Sequence, residues 1–546
     1  MPQPHLSQLD IWILALYAVM MIVLGVAASR NTKGANDYFL AGRNMNWFMI
    51  GFALFASNIS STTMVGLAGD AYSTGISVYN YEWMAGVVLV FFSVFILPMV
   101  LRSQVYTMPE YLERRFDRRA RSMFAMLTLF LNIVVDTAAS LYAGSLLLEF
   151  VFPNVASWQL IAVLAILTGI YTILGGLSAV MITEVVQAFI LLLGSALITV
   201  FALNKIDGGW ATVLAATPPE KLSLIRPLND PGVPWLGLIT GVPLLGFYFW
   251  CTNQFMAQRM LSAKNLAHAR GGAVLAGLLK LPVLFIMVLP GTMAILLYPK
   301  LDRPDLVFPA LMFDLLPSGI LGLALAGFIA ALMSSIASTL NSASTLITMD
   351  FVRPARPNLG DAQLTRVGRI ATLVFMLLAV LWAPQIGRFE SLFKYLQQIL
   401  SYTVGPVVAL FLLGSFWRRA NAAGAFWALT LGFIGGGVMM GLNAILPGMA
   451  NAAPGNADLQ ALNASIGLHL HFLYIGPILF VFSSIVLILV SLATAPAPDE
   501  QIEAFLWSPK LYREESALIT GAWWKDYRIQ AIGLMGLTAA ILFSFW

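Results

Sequence analysis

Charge is scarce in this chain. Asp, Glu, Lys and Arg together make up 10% of its 546 residues, while apolar side chains make up 59%. A soluble domain carries roughly 25% charged residues, so this composition points to long membrane-crossing segments. Cysteine is nearly absent. Cys251 stands alone, which excludes an intrachain disulfide and a cysteine metal cluster. The four histidines, His5, His268, His469 and His471, show no ligand-like spacing. Extended polar sequence is also lacking. The longest polar stretches, 205–234 and 494–528, are too short to close a core of their own. No Lys or Arg precedes the first apolar run, so that run reads as a retained span, not a cleaved signal.

What remains is an all-α integral membrane protein. Fourteen spans are expected: 9–29, 46–67, 78–101, 121–150, 157–174, 179–203, 235–258, 270–298, 319–348, 364–385, 391–414, 421–446, 468–493 and 526–546. One alternating set of connections holds 22 of the 30 Lys and Arg, Arg259 and Arg270 among them; the opposite set holds 6. The richer set is assigned to the cytoplasm, which puts both termini outside. The chain reads as one transmembrane unit in a cell membrane, the inner membrane if the source is bacterial. Spans 46–203 and 235–414 form two groups of five. Because five is odd, the groups have opposite orientations. Segments 9–29 and 421–546 are peripheral.

The stretch Phe52–Asp70 cannot be a plain membrane helix. Its centre, Ser57-Asn58-Ile59-Ser60-Ser61-Thr62-Thr63, is polar at all but one position, and Gly66 and Gly69 follow. Irregular backbone at membrane depth is tolerated only around a buried cavity. The other reading is a helix whose hydroxyls bond back to its own carbonyls. A second break is expected at Gly241-Val242-Pro243-Leu244-Leu245-Gly246, ahead of the aromatic run Phe247–Trp250. Broken segments at matching positions of two inverted halves mark transporter binding sites.

Other polar residues lie deep in apolar sequence. Lys280 falls near mid-membrane, where a lysine is costly and marks a functional site by default. The structural reading is an ion pair with Asp136, the acid within FLNIVVDTAASLYAG. Lys394 reads as structural. Glu82, in Tyr79-Asn80-Tyr81-Glu82-Trp83, reads either as an interfacial acid or as part of a sugar-binding cluster. Gln397 and Gln398 place two amides, able to donate and accept, in an apolar span. Ser334, Ser338 and Ser342 form one helical stripe, suited to close packing or to supplying oxygens to a cation.

Several segments resemble a known family. FASNISSTTMVGLAGDAYSTGISVYNYEWMAG, YTMPEYLERRFD, YTILGGLSAVMITEVVQ, AALMSSIASTLNSASTLITMD and LLGSFWRRANAAGA are similar to the sodium/solute symporters, in particular their sodium–glucose/galactose branch. The resemblance runs nearly end to end and keeps the motif order. It implies a leucine-transporter-like core of two inverted five-helix repeats working by alternating access. It implies a sodium site made of the carbonyls of Ala56, Ile59 and Ala331 with the hydroxyls of Ser334 and Ser335. Its sugar site maps onto Asn58, Glu82, Lys280 and Gln397. Its outer gate maps onto Leu67, Tyr81 and Phe393, and its inner gate onto Phe249. The chain departs from the pattern at Thr63, where characterised carriers have Gln or His and which is kept as a candidate substrate contact. It departs also at Gly246, in place of Asn, and at Ala85, in place of Ser. A second sodium site in some relatives needs an acid and two serines. Here those positions are Glu184, Ala337 and Ser338, and the missing hydroxyl favours one sodium per cycle. Asp136, Glu184 and Ser338 remain candidates for an accessory ion or for proton coupling.

The expected function is sodium-coupled import of a monosaccharide. The nearest alternative keeps the fold, with sodium or proton coupling, for a polyol, carboxylate or vitamin. An anionic solute would leave Glu82 without a role. A sensor or channel is the alternative of another class, but no appended signalling domain is visible. No nucleophile–base or metal constellation suggests an enzyme. Sodium is the only cofactor-like partner expected, beside the solute and the bilayer, with no organic cofactor and no nucleic acid. The sequence leaves the oligomeric state open.

Overall fold

The computed structural model describes residues 6–29, 34–388, 392–517 and 522–546. They form helices joined by short connections; the only β pairings among them are two isolated bridges. Among the described residues, eleven helices are long and apolar enough to cross a membrane, or up to thirteen if two sharply bent pairs each count as one span. The segments expected at 157–174 and 179–203 are the two arms of helix Ser157–Lys205, which bends at Gly176.

The pattern of burial is that of a membrane bundle. Helix Ile320–Leu346 is the most enclosed, with 83% of its membrane-length window buried. It packs on Ser157–Lys205, on Trp47–Asn58 and on Ser61–Thr74. The first helix, Gln8–Ser29, and the later helices Ala422–Met440, Phe472–Ala493 and Tyr527–Ser544 are the least buried. They turn Trp12, Leu16, Ile434, Leu489, Ile532 and Phe543 outward. Such an exposed apolar shell suits lipid as its surroundings.

Close helix approach explains several glycines. At Gly176, inside Ser157–Lys205, φ is +59°, and a Cβ would stand 2.7 Å from the Tyr38 carbonyl oxygen. This bend therefore needs a residue without a side chain. Gly241 lies under the Leu473 carbonyl, 2.3 Å from where its Cβ would be.

That close approach corrects an expectation. Residues 241–246 do not break the chain: helix Trp235–Phe247 runs straight through them with Pro243 inside it. Gly241 and Gly246 admit neighbouring helices, Phe472–Ala493 and Asn80–Phe95 respectively. The interruption comes later. A widened turn, Tyr248–Thr252, ends at Asn253, whose extended backbone (φ −62°, ψ 128°) starts helix Gln254–Leu261. Span 391–414 also differs from its expected single helix. Its two arms, Tyr395–Thr403 and Gly405–Phe416, meet at 49°.

Candidate functional site

The first expected break is present at its expected place. Helix Trp47–Asn58 ends, Ile59 and Ser60 leave the helical region, and Ser61–Thr74 restarts at 58° to the first arm. The local hydrogen bonds account for it. The Ser60 N–H donates to the Asn58 carbonyl at 2.9 Å, closing a tight turn around Ile59 (φ −77°, ψ 84°). The Ser60 hydroxyl then caps the new helix by accepting from the Thr63 N–H at 3.1 Å. Ala56 and Ile59 are among the carbonyls that lose their helical donors here. Ser60 no longer reaches back to Ala56, and Thr63 no longer reaches Ile59. The Thr63 hydroxyl is spent on the Asn58 carbonyl, at 2.9 Å.

Helix Ile320–Leu346 faces this break. The Ser334 hydroxyl donates to the Ala56 carbonyl at 3.3 Å, and the Ser335 hydroxyl to the Ala331 carbonyl at 3.0 Å. Four of the five residues expected to hold sodium are thus tied into two linked pairs, and Ile59 lies at the break beside them. These are neutral hydroxyl and carbonyl oxygens. Hard cations of this kind take oxygen ligands. Among the described residues there is no group of three His, Cys, Asp or Glu able to hold a metal ion.

Beside the break lies a cavity of about 120 Å³. Asn58, Thr63, Glu82 and Gln397, four of the five expected substrate contacts, line it. The fifth, Lys280, does not. It is buried behind Glu82, its Nζ donating to Oε2 of that carboxylate, with the Trp250 ring centroid 5.4 Å away. The Lys280 partner is therefore Glu82 and not Asp136. The two are 198 residues apart in the chain, and sequence spacing carries no sign of such a pair. Asp136 instead lines the cavity from the widened turn Asn132–Thr137.

The expected aromatic cluster divides by role. Tyr81 and Glu82 face the cavity, whereas the Tyr79 hydroxyl donates to the Leu281 carbonyl and Asn80 bridges the Leu224 carbonyl to the Trp83 indole. Gln397 lines the cavity and Gln398 does not. Of the gate positions, Phe249 and Tyr81 line the cavity and Leu67 is fully buried outside its wall. The Phe393 side chain falls outside the described residues. Two acceptor-bearing amides await partners. Asn58 Oδ1 is buried with no hydrogen-bond partner, and the Gln397 side chain makes no hydrogen bond to the described protein.

Below the break lies a network that the sequence reading missed. Arg259, assigned above to a cytoplasmic connection, is 1% exposed and forms a two-pronged pair with Glu184. Glu184 Oε1 also accepts from Ser57 at 2.7 Å and from Ser338 at 2.6 Å. Ser334 reaches the same oxygen at 3.3 Å. The pair joins the long helix Ser157–Lys205 to the short helix Gln254–Leu261 beyond the second break. Arg270 is likewise buried and paired, with Glu515, and Arg121 with Asp350. Ser342, the last of the serine stripe, accepts from the Asn132 amide at 3.1 Å and packs away from the break.

Known proteins share this arrangement of sequence and fold. The chain is 34% identical to the sodium/glucose cotransporter 1 of Oryctolagus cuniculus, an alignment covering 93% of this chain and 82% of that one. It is 35% identical to the sodium/myo-inositol cotransporter 2 of the same organism, over 93% of this chain and 80% of that one. A solved structure of a substrate-bound, outward-open Na+-coupled sialic acid symporter superposes with a TM-score of 0.76, covering 90% of this chain and 99% of that one. At 23% identity it speaks for the fold alone. The model of the sodium:solute symporter family matches residues 38–432, and with relatives this similar along nearly the whole chain, the protein belongs to that family.

Proposed function

We propose that this protein couples inward sodium flow to uptake of a monosaccharide by alternating access. The observation that carries the reading is the helix break at Ile59–Ser60. It releases the Ala56 and Ile59 carbonyls from their helical donors and sets Ala56 against Ser334, next to a cavity whose wall offers Asn58, Glu82 and Gln397 to hydroxyl groups. Sodium bound to these oxygens would join the broken helix to helix Ile320–Leu346. Sugar binding beside it would then couple to the ion through their shared helix.

In this reading the two halves, 46–203 and 235–414, are inverted repeats, with fourteen spans in all and 9–29 and 421–546 at the periphery. Tyr81, Leu67 and Phe393 close the cavity outward and Phe249 closes it inward. Both termini face away from the cytoplasm of a cell membrane. One sodium moves per cycle, because Ala337 offers no hydroxyl and the Arg259 guanidinium already occupies Glu184. A polyol is the second reading, favoured by the 35% identity to a sodium/myo-inositol cotransporter.

Uptake of radiolabelled hexoses and inositols into proteoliposomes tests the reading, with an inward sodium gradient or with potassium in its place. Accumulation of one solute that depends on sodium is expected. Uptake equal in both salts would overturn the coupling.

A further inference from the structure

The cavity wall carries an unbalanced charge. Its only ionisable carboxylates are Glu82 and Asp136, and no Lys, Arg or His lines it among the described residues. Glu82 is neutralised from behind by Lys280. No Lys, Arg or His among the described residues pairs with Asp136, and the phenols of Tyr248 and Tyr395 stand nearby. Its side chain is partly accessible where Lys280 is sealed. Backbone geometry sets this position. The widened turn Asn132–Thr137 places Asp136 on the cavity side, and the Ser140 hydroxyl ties its carbonyl at 2.8 Å. Three aromatic rings, Phe249, Trp250 and Phe255, complete the same wall.

An ionised carboxylate at this depth, without a cation, is expensive. A carboxylate beside aromatic faces is also the chemistry that holds an organic ammonium group. We propose that Asp136 is a charge-selecting residue of the solute site, holding a cationic amine carried on a polyhydroxylated ring and repelling a carboxylate. The preferred class is then an amino-substituted hexose, with a neutral hexose next and a hexuronate last. This rests on the reading of the cavity as a sugar site. The rest of the wall, Asn58, Gln397 and the paired Glu82, serves hydroxyls and is indifferent to the solute's charge.

The test compares glucose, glucosamine and glucuronate as ligands of the purified full-length protein in sodium, read by their concentration-dependent thermal stabilisation. In the wild type, glucosamine is expected to bind on the order of tenfold more tightly than glucose, and glucuronate at least tenfold more weakly, the scale of one charge-assisted hydrogen bond made or one like charge opposed. Asp136→Asn brings the three ligands together, and a melting temperature without ligand close to that of the wild type shows that the variant is folded. Asp136→Glu restores the order. An unchanged order in Asp136→Asn, with glucose still bound, overturns the proposal and leaves the sugar reading standing. A loss of sodium dependence in Asp136→Asn with the order unchanged assigns Asp136 to the ion and overturns it equally. Binding of none of the three to the wild type overturns the sugar reading and this inference with it.

Discussion

Lys280 and Glu82 form a sealed ion pair whose acid looks into the cavity while its base does not. The lysine fixes the carboxylate and cancels its charge, so Glu82 offers hydrogen-bond acceptance to a neutral hydroxyl. Removing one partner of a buried pair leaves the other uncompensated, at about 3–5 kcal/mol. Lys280→Ala should therefore lower thermal stability markedly and abolish uptake. The double variant Lys280→Met with Glu82→Gln, which removes both charges, should recover most of the stability but not the uptake. Melting curves in detergent beside uptake assays check both. A stable, active Lys280→Ala protein would contradict this role.

Ser335 and Ser334 test the ion site. Each hydroxyl supplies one oxygen next to the helix break. Loss of a single hydrogen-bond-strength ligand is worth about 1–1.5 kcal/mol, so Ser335→Ala should raise the half-saturating sodium concentration roughly 5–10-fold. Solute affinity at saturating sodium should change little. The measurement is uptake against sodium concentration.

Arg259 tests the network below the break. Its fork spans both Glu184 oxygens, a geometry that a lysine cannot reproduce. Arg259→Ala should cost about 3–5 kcal/mol by leaving the buried Glu184 carboxylate with its serine hydroxyls but without its cation. Arg259→Lys should fall between it and the wild type. Thermal unfolding gives the order, and an Arg259→Ala protein as stable as Arg259→Lys would sink the assignment.

Glycines at the close approaches make a purely structural prediction. Gly176 has φ +59° with the Tyr38 carbonyl in the path of any side chain, so Gly176→Ala combines strain with overpacking. It should destabilise the fold by about 1–3 kcal/mol. Gly437 has nothing within 4 Å of its would-be Cβ and serves as the control. Gly437→Ala should be neutral or mildly stabilising in the same melting assay.

The helix break at Ile59–Ser60 was legible because six polar residues in seven cannot be hidden on one face of an apolar span. The second break was legible as an event but misplaced. Gly241, Pro243 and Gly246 look like a break, yet the glycines answer to neighbouring helices and the proline fits inside the helix. The actual interruption, at Asn253, has no Gly or Pro to announce it. The bend at Val404 lies beside Gly405-Pro406, but a proline that opens a new helix and one carried inside a continuous helix, as Pro243 is, look alike in sequence. Individual site residues stood out as polar groups in apolar sequence. Their pairings did not, because Lys280 meets Glu82 and Arg259 meets Glu184 across long chain separations. Arg259 was read as a loop charge for the same reason: its distance from a span end says nothing about which acid folds over it.

Coupling itself is tested most directly by sodium entry. Proteoliposomes loaded without sodium would be given radiolabelled sodium, with and without each sugar outside, and both fluxes counted. Sugar should stimulate sodium entry, with one sodium entering per sugar, and Ser335→Ala should remove that stimulation at low sodium. Sugar crossing the membrane with no change in sodium entry would contradict the account at its centre.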